Sequence, residues 1–272
     1  MRELERDFPT TADRAQAPSA LPALAIVGAG RVGSSIAAAA GRAGLEATLS
    51  GRVGALEATR AAEIALLCVP DGAIATAAGE LAPAAPRFAG HTSGATGLDA
   101  LAPLAAAGAS TFSLHPLQTV PDAATDFTGS PCAISASDPE AMRIPRALAE
   151  ALGMRPFEIA EADRAAYHAA ACMASNFLVA LEEAAADLLA RTGPEDARAL
   201  LAPIVLRTAA NWSERGADAL TGPIARGDEA TVARHQEALR RTAPELLDLY
   251  SALAERARAI ASQSAEREGG PR

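Results

Sequence analysis

Apolar residues in the first part of the chain come in short runs that do not alternate with polar ones. Residues 23–27 (Ala-Leu-Ala-Ile-Val) and 64–69 (Ile-Ala-Leu-Leu-Cys-Val) are apolar throughout, and 109–114 and 131–135 are mostly so. Runs of this length predict strands buried on both faces, as in parallel sheets. Further strands are expected at 45–49, 87–92 and 155–159. Between them, Ala- and Leu-rich stretches at 34–40, 73–81, 98–107 and 139–152 predict helices. Pro70 and Asp71 mark a helix start. Strands alternating with helices at this spacing predict an α/β, doubly wound parallel sheet over residues 21–159. Beyond residue 160 strand signals vanish. Helical periodicity covers 161–192, 194–215 and 228–262, with Gly193-Pro194 and 221–228 as loops, which predicts an all-α helical C-terminal domain over 160–262. Residues 1–20 read as a disordered leader without a signal-peptide core, and 263–272 as a disordered tail.

The first strand runs into Gly28-Ala29-Gly30-Arg31-Val32-Gly33 and then into the first helix. In that context G-x-G-x-x-G has a physical meaning. Gly28 makes the tight turn, Gly30 lets the backbone approach a pyrophosphate, and Gly33 lets helix and strand pack closely. The helix N-terminus offers free N–H groups to the phosphates. An NAD site places Asp or Glu about 20 residues on, at the end of the second strand, to bond the ribose 2′-OH. Here that end reads Ser50-Gly51-Arg52, with no carboxylate. A hydroxyl and a guanidinium suit a 2′-phosphate, so the expected cofactor is NADP (NADPH).

Composition narrows the chemistry. The 272 residues suit two domains. Half are hydrophobic but only 3% aromatic, so the core must be built from Ala, Leu, Val and Ile. A net charge of −9 argues against nucleic acid or an anionic membrane as partner. No unbroken run of roughly 18 apolar residues predicts a membrane span. Cys68, Cys132 and Cys172 lack C-x-x-C spacing, so neither a disulfide framework nor a metal site is expected, and a reducing cytoplasm fits. The chain has no lysine, all 24 basic residues being arginine. Schiff-base chemistry and a lysine acid are therefore excluded. Proton transfer falls to four histidines, to carboxylates, or to Tyr167 and Tyr250.

Ligands of doubly wound sheets lie beyond the carboxyl ends of the strands. Val69-Pro70, Ser93 and His115 fall there, the last fixed by Pro116. His115 is a candidate proton donor to a carbonyl, with a structural hydrogen-bonding role as the competing reading. Ser93 and Thr96 either contact cofactor or cap the following helix. His91, inside a strand, reads as a core histidine. On the first helix of the second domain, His168, Cys172, Ser175 and Asn176 fall at i, i+4, i+7 and i+8, a polar stripe in apolar surroundings. Arg226 is a candidate anion clamp, and Asp228 an N-cap.

These motifs, with Thr92-Ser-Gly-Ala95, His115-Pro-Leu-Gln-Thr119, Ser175–Leu181 and Leu220-Thr-Gly-Pro-Ile-Ala-Arg-Gly-Asp228, stand in a recognisable order. Over residues 21–261 the chain resembles bacterial Rossmann-like proteins that carry a C-terminal domain of unknown function (2520), and more distantly pyrroline-5-carboxylate reductase, ketopantoate reductase and the β-hydroxyacid dehydrogenases. The resemblance implies a Rossmann domain with a helical domain that dimerises, and an NADP-dependent oxidoreductase. Ketopantoate reductases and β-hydroxyacid dehydrogenases use a helix Lys with an Asn four residues later. Here Cys172 precedes Asn176, so their mechanism does not carry over. The expectation is a cytoplasmic homodimer reducing a small, anionic carbonyl or imine substrate bound between the domains. Its catalytic residues are His115, His168 and Asn176, and its substrate contacts Ser175 and Arg226. A non-catalytic NADP(H)-binding regulator or scaffold is the alternative.

Overall fold

The computed structural model describes residues 21–268, and the expected leader at 1–20 lies outside them. The chain divides into two compact units, the first ending at Cys172 and the second starting at Met173. Among the described residues the first unit holds a sheet of seven strands: β1 (Leu24–Val27), β2 (Ala47–Ser50), β3 (Ile64–Leu67), β4 (Phe88–His91), β5 (Ser110–Pro116), β6 (Pro131–Ala136) and β7 (Arg155–Glu158). Their order is β2-β1-β3-β4-β5-β6-β7. Helices α1 (Arg31–Arg42), α2 (Ala55–Arg60), α3 (Ile74–Leu81), α4 (Ala102–Ala106) and α5 (Pro139–Ala151) connect them. Residues of one strand serve opposite faces. Ile64 and Leu66 pack with Leu24, Ile26, Ile36 and Phe112 on one face, and Ala65 and Leu67 with Val27, Ile74 and Leu104 on the other.

The sheet is not parallel throughout. β5 and β6 pair antiparallel, Leu114 opposite Ile134, although β6 and β7 run parallel to each other. A parallel crossover needs a covering element, usually a helix. The link 117–130 has none among the described residues. It folds back on itself, the Leu117 amide donating to the Pro131 carbonyl at 2.8 Å, with Phe127 fully buried beneath it. The stretch 98–107 is a 3₁₀ turn at Leu98–Leu101 followed by α4, rather than one helix.

The helical part begins inside the first unit. After a 3₁₀ turn at Glu161–Asp163, α6 (Arg164–Ala174) ends at Ser175, whose φ −122° and ψ −74° leave the helical region. The Ser175 carbonyl then accepts the first bond of α7 (Asn176–Ala190), from the Val179 amide at 3.2 Å. The expected continuous helix, and with it the stripe from His168 to Asn176, is thus interrupted. Within Glu161–Ala190 one 18-residue window nevertheless reaches a mean hydropathy of 1.2, long and apolar enough for a membrane span by length and composition alone, which the sequence pattern did not suggest.

The second unit contains α7, α8 (Ala197–Arg215), α9 (Glu229–Thr242) and α10 (Leu247–Glu268). The periodic stretch 228–262 is two helices because Pro244 forces Ala243 out of the helical region, to φ −156° and ψ 62°. α10 continues through Glu268, so part of the expected disordered tail is helix.

Candidate functional site

The glycine turn separates two reasons for being glycine. Gly28 has φ +117°, and a Cβ there would stand 2.3 Å from the Cys68 carbonyl oxygen of the adjoining strand. A Cβ on Gly33 would stand 1.9 Å from the Gly28 oxygen. Both are required by the protein's own packing. Gly30 is different: a Cβ there meets nothing within 4 Å, so the protein's own packing does not require glycine at this position. No side chain caps α1, and no acidic residue occupies its first turn. Its N–H groups and positive end are left for an anion.

Beside this turn lies a cavity of about 550 Å³, lined by Val27, Gly28, Arg52, Val69, Pro70, and Ala73, Thr76 and Glu80 of the α3 segment, among others. It sits at the carboxyl ends of β1 and β3, where the chain crosses from one side of β1 to the other, the position expected for a nucleotide. Of the expected cofactor residues, Gly28, Arg52, Val69 and Pro70 line it. Ala29, Gly30 and Arg31 are exposed, while Val32 packs on the core. The Ser50 hydroxyl donates to the Ile26 carbonyl at 3.4 Å. Arg52 donates to Glu80 at 2.6 Å. The cavity therefore has a carboxylate that the sequence reading did not find. Glu80 comes from α3 rather than the end of β2, so no short spacing announces it.

Farther along the same sheet edge, polar groups converge on β4, β5 and α6. Arg164, only 3% exposed, donates to the hydroxyls of Ser113 (2.7 Å) and Ser135 (2.6 Å) and pairs with Glu161. Burial works to raise the Glu161 carboxyl, but hydrogen bonds from Arg164 and Ser135 outweigh it and hold the group below the usual range. Glu161 also accepts from the Leu98 amide at 3.0 Å. Ser93 uses its hydroxyl to accept from the Ala95 and Thr96 amides, so it, rather than Thr96, organises this turn. His91 is fully buried. Its Nδ1 accepts from the Ser93 amide, which leaves the Nε2–H to donate to the Gly97 carbonyl.

One helical turn past Arg164, α6 presents Tyr167 and His168 to His115, which lies within β5 rather than after it. The Tyr167 hydroxyl and His115 Nδ1 are 2.6 Å apart. The His115 and His168 rings stand edge to face at 6.1 Å. Both approach Gly94, where a Cβ would lie 2.7 Å from His168 Nδ1 and 2.8 Å from His115 Nε2. His168 Nε2 is 3.5 Å from Cys172 Sγ, while its Nδ1 is buried without a partner. Burial, with the charges of His168 and Arg164, pushes His115 down to about 4. Burial pushes Tyr167 up to about 12. With those shifts both rings are neutral near pH 7. Sequence reasoning counted Tyr167 among the groups able to move a proton but did not pair it with His115. Its place beside His168 was visible, but its reach across to β5 was not.

Ser175, Asn176 and Arg226 belong to the second unit. Asn176 is exposed at the start of α7. Arg226 is exposed in the loop before α9, where Asp228 caps the helix by accepting from the Thr231 amide at 3.0 Å. In that unit His235 Nδ1 and the Tyr250 hydroxyl are 2.9 Å apart.

Two family models match the chain: a Rossmann-like domain at residues 48–116 and a domain of unknown function (DUF2520) at 130–257. The second begins where the sheet reverses direction, at β6. No curated protein matches the sequence. Among solved structures, protein TM1727 of Thermotoga maritima superimposes with a TM-score of 0.73 at 22% identity, over 89% of this chain and 99% of that one. BF3122 of Bacteroides fragilis, whose name proposes an NADP oxidoreductase, gives 0.70 at 22% identity, over 88% and 98%. A reductive aminase of Aspergillus terreus, in complex with NADPH and ethyl-5-oxohexanoate, gives 0.63 at 17% identity, over 89% and 98%.

Proposed function

From a chain that pairs a Rossmann-like domain with the domain of unknown function 2520, we propose an NADP-dependent reductase of a small carbonyl or imine compound. The observation that carries this reading is the open Gly30 at an uncapped helix N-terminus beside a cavity lined by Arg52. The turn backbone receives the pyrophosphate and Arg52 the 2′-phosphate. A bound nicotinamide cofactor supplies hydride.

The chain's own part in the chemistry is to deliver the proton. Tyr167 is the donor, because lysine is absent from the chain and the neutral His115 ring has no acidic proton to spare at pH 7. With its hydrogen on Nδ1, His115 donates to the phenol oxygen at 2.6 Å. That orientation leaves the phenolic proton free for substrate and holds the oxygen as it gains negative charge. His168 packs against Gly94, as His115 does, and the reading gives it a place beside the substrate. The reading includes a substrate anion held by Arg226, with Ser175 and Asn176 as further contacts. It also includes a second copy of this chain as partner and a reducing cytoplasm, in keeping with the free Cys68, Cys132 and Cys172.

The test combines cofactor titration with turnover on a panel of 2-oxo acids, 3-oxo acids and cyclic imines. Tyr167→Phe should lower turnover by about 10²–10⁴-fold with NADPH affinity retained. Gly30→Ala should weaken NADPH binding without moving Tm. Tight NADPH binding with no panel member reduced would favour a regulator that senses NADP(H) without turnover.

A further inference from the structure

Arg52 and Glu80 face each other at the nucleotide cavity, and they are the charged residues among those lining it. The pair is exposed, 83% and 46% for the two side chains, with 2.6 Å between Arg52 Nη2 and Glu80 Oε1. Glu80 stands on the cavity face of α3, one turn after Thr76 and two after Ala73, which line the same wall. The remainder of the lining is apolar or glycine apart from Thr76. An adenosine moiety fits such a wall, and the ion pair then marks where its ribose substituents meet charge.

We infer that Glu80 is a specificity determinant of this cavity, one that holds the Arg52 guanidinium against a 2′-phosphate and so narrows the preference for the phosphorylated cofactor. The inference rests on the nucleotide reading proposed above. Two effects act in the same direction. A 2′-phosphate must take the Arg52 donors that Glu80 now accepts. It also brings negative charge towards the Glu80 carboxylate. A cofactor with a free 2′-OH meets neither cost, since a hydroxyl leaves the pair intact and can donate to the carboxylate. Neutralising Glu80 while keeping its shape therefore favours NADPH specifically.

The experiment measures binding of NADPH, NADH, 2′,5′-ADP and 5′-AMP to the wild type, Glu80→Gln, Arg52→Gln and the double variant. Because the readout is binding, it does not depend on finding the substrate. Glu80→Gln should tighten NADPH and 2′,5′-ADP by about three- to tenfold, the scale of releasing one exposed ion pair and removing one like-charge approach. NADH and 5′-AMP should change by less than about twofold, since neither contests the pair. In the Arg52→Gln background the gain should vanish, because no guanidinium remains to be released. An unchanged NADPH-to-NADH ratio in Glu80→Gln, with both cofactors bound, overturns the role of Glu80 and leaves the cofactor site standing. A gain that persists without Arg52 also overturns it. If none of the four nucleotides binds the wild type, the nucleotide reading itself falls, and the role of Glu80 with it.

Discussion

At the scale of single residues, environment decides what each polar side chain at the sheet edge can do. His91 and His115 share a residue type and a sheet edge. His91 is committed to the Ser93 amide and the Gly97 carbonyl, whereas His115 faces a phenol on another element. Burial comes first in pushing both down to about 4, with Arg164 adding positive charge near each. In the unfolded chain they titrate near 6.5. Between those values the unfolded chain binds more protons than the fold, so stability falls as pH drops from about 6.5 towards 4 and is unaffected by these groups above that window. The urea midpoint should accordingly fall between pH 7 and pH 5, and His115→Asn should flatten part of the slope. A midpoint that holds steady across that range would mean the rings are not buried in neutral form.

At the scale of elements, a buried arginine joins α6 to the sheet. Arg164 bonds the hydroxyls of Ser113 on β5 and Ser135 on β6, while Glu161 ties the same corner to the Leu98 amide. This anchorage carries α6 into the first unit, past the boundary expected near residue 160, and sets Tyr167 and His168 opposite His115. Removing one partner of a fully buried pair costs about 3–5 kcal/mol, and the partial exposure of Glu161 lowers that to roughly 2–3 kcal/mol for Arg164→Leu. Thermal unfolding measures the loss. Tyr167→Phe is the control for the chemistry, since it should lose turnover while its Tm stays within a few degrees of wild type. The helix breaks at Ser175 and Ala243 differ in legibility. Pro244 declares the second in the sequence, whereas the first has no proline or glycine beside it.

At the scale of the whole molecule, the second unit leaves many large apolar side chains in water. Phe177, Leu200, Ile204, Leu206 and Trp212 are each more than half exposed, and an apolar groove runs between α7 and α8. Patches of this kind mark interaction surfaces. Leu200 and Ile204 fall on one stripe of α8, at i and i+4. With a second copy as occupant, light scattering should give twice the chain mass, and Ile204→Arg should yield monomers. Trp212, the single tryptophan, should shift its emission to the red as dimers dilute apart. Monomeric mass across a wide concentration range would remove the second copy from the picture.

The sequence by itself determined the local features: which segments pair as strands, where the glycine turn lies, and which chemistries the missing lysines exclude. It also placed Asp228 as a helix cap, because periodicity, backbone freedom and capping act over a few neighbouring residues. Tertiary structure decided what depends on distant elements meeting. The reversal at β6 came from a link without a helix to carry a parallel crossover. The Tyr167–His115 and Arg52–Glu80 pairs join residues 52 and 28 positions apart. The protonation of His115 follows from burial and neighbouring charge, and no reading of residue type along the chain reports either.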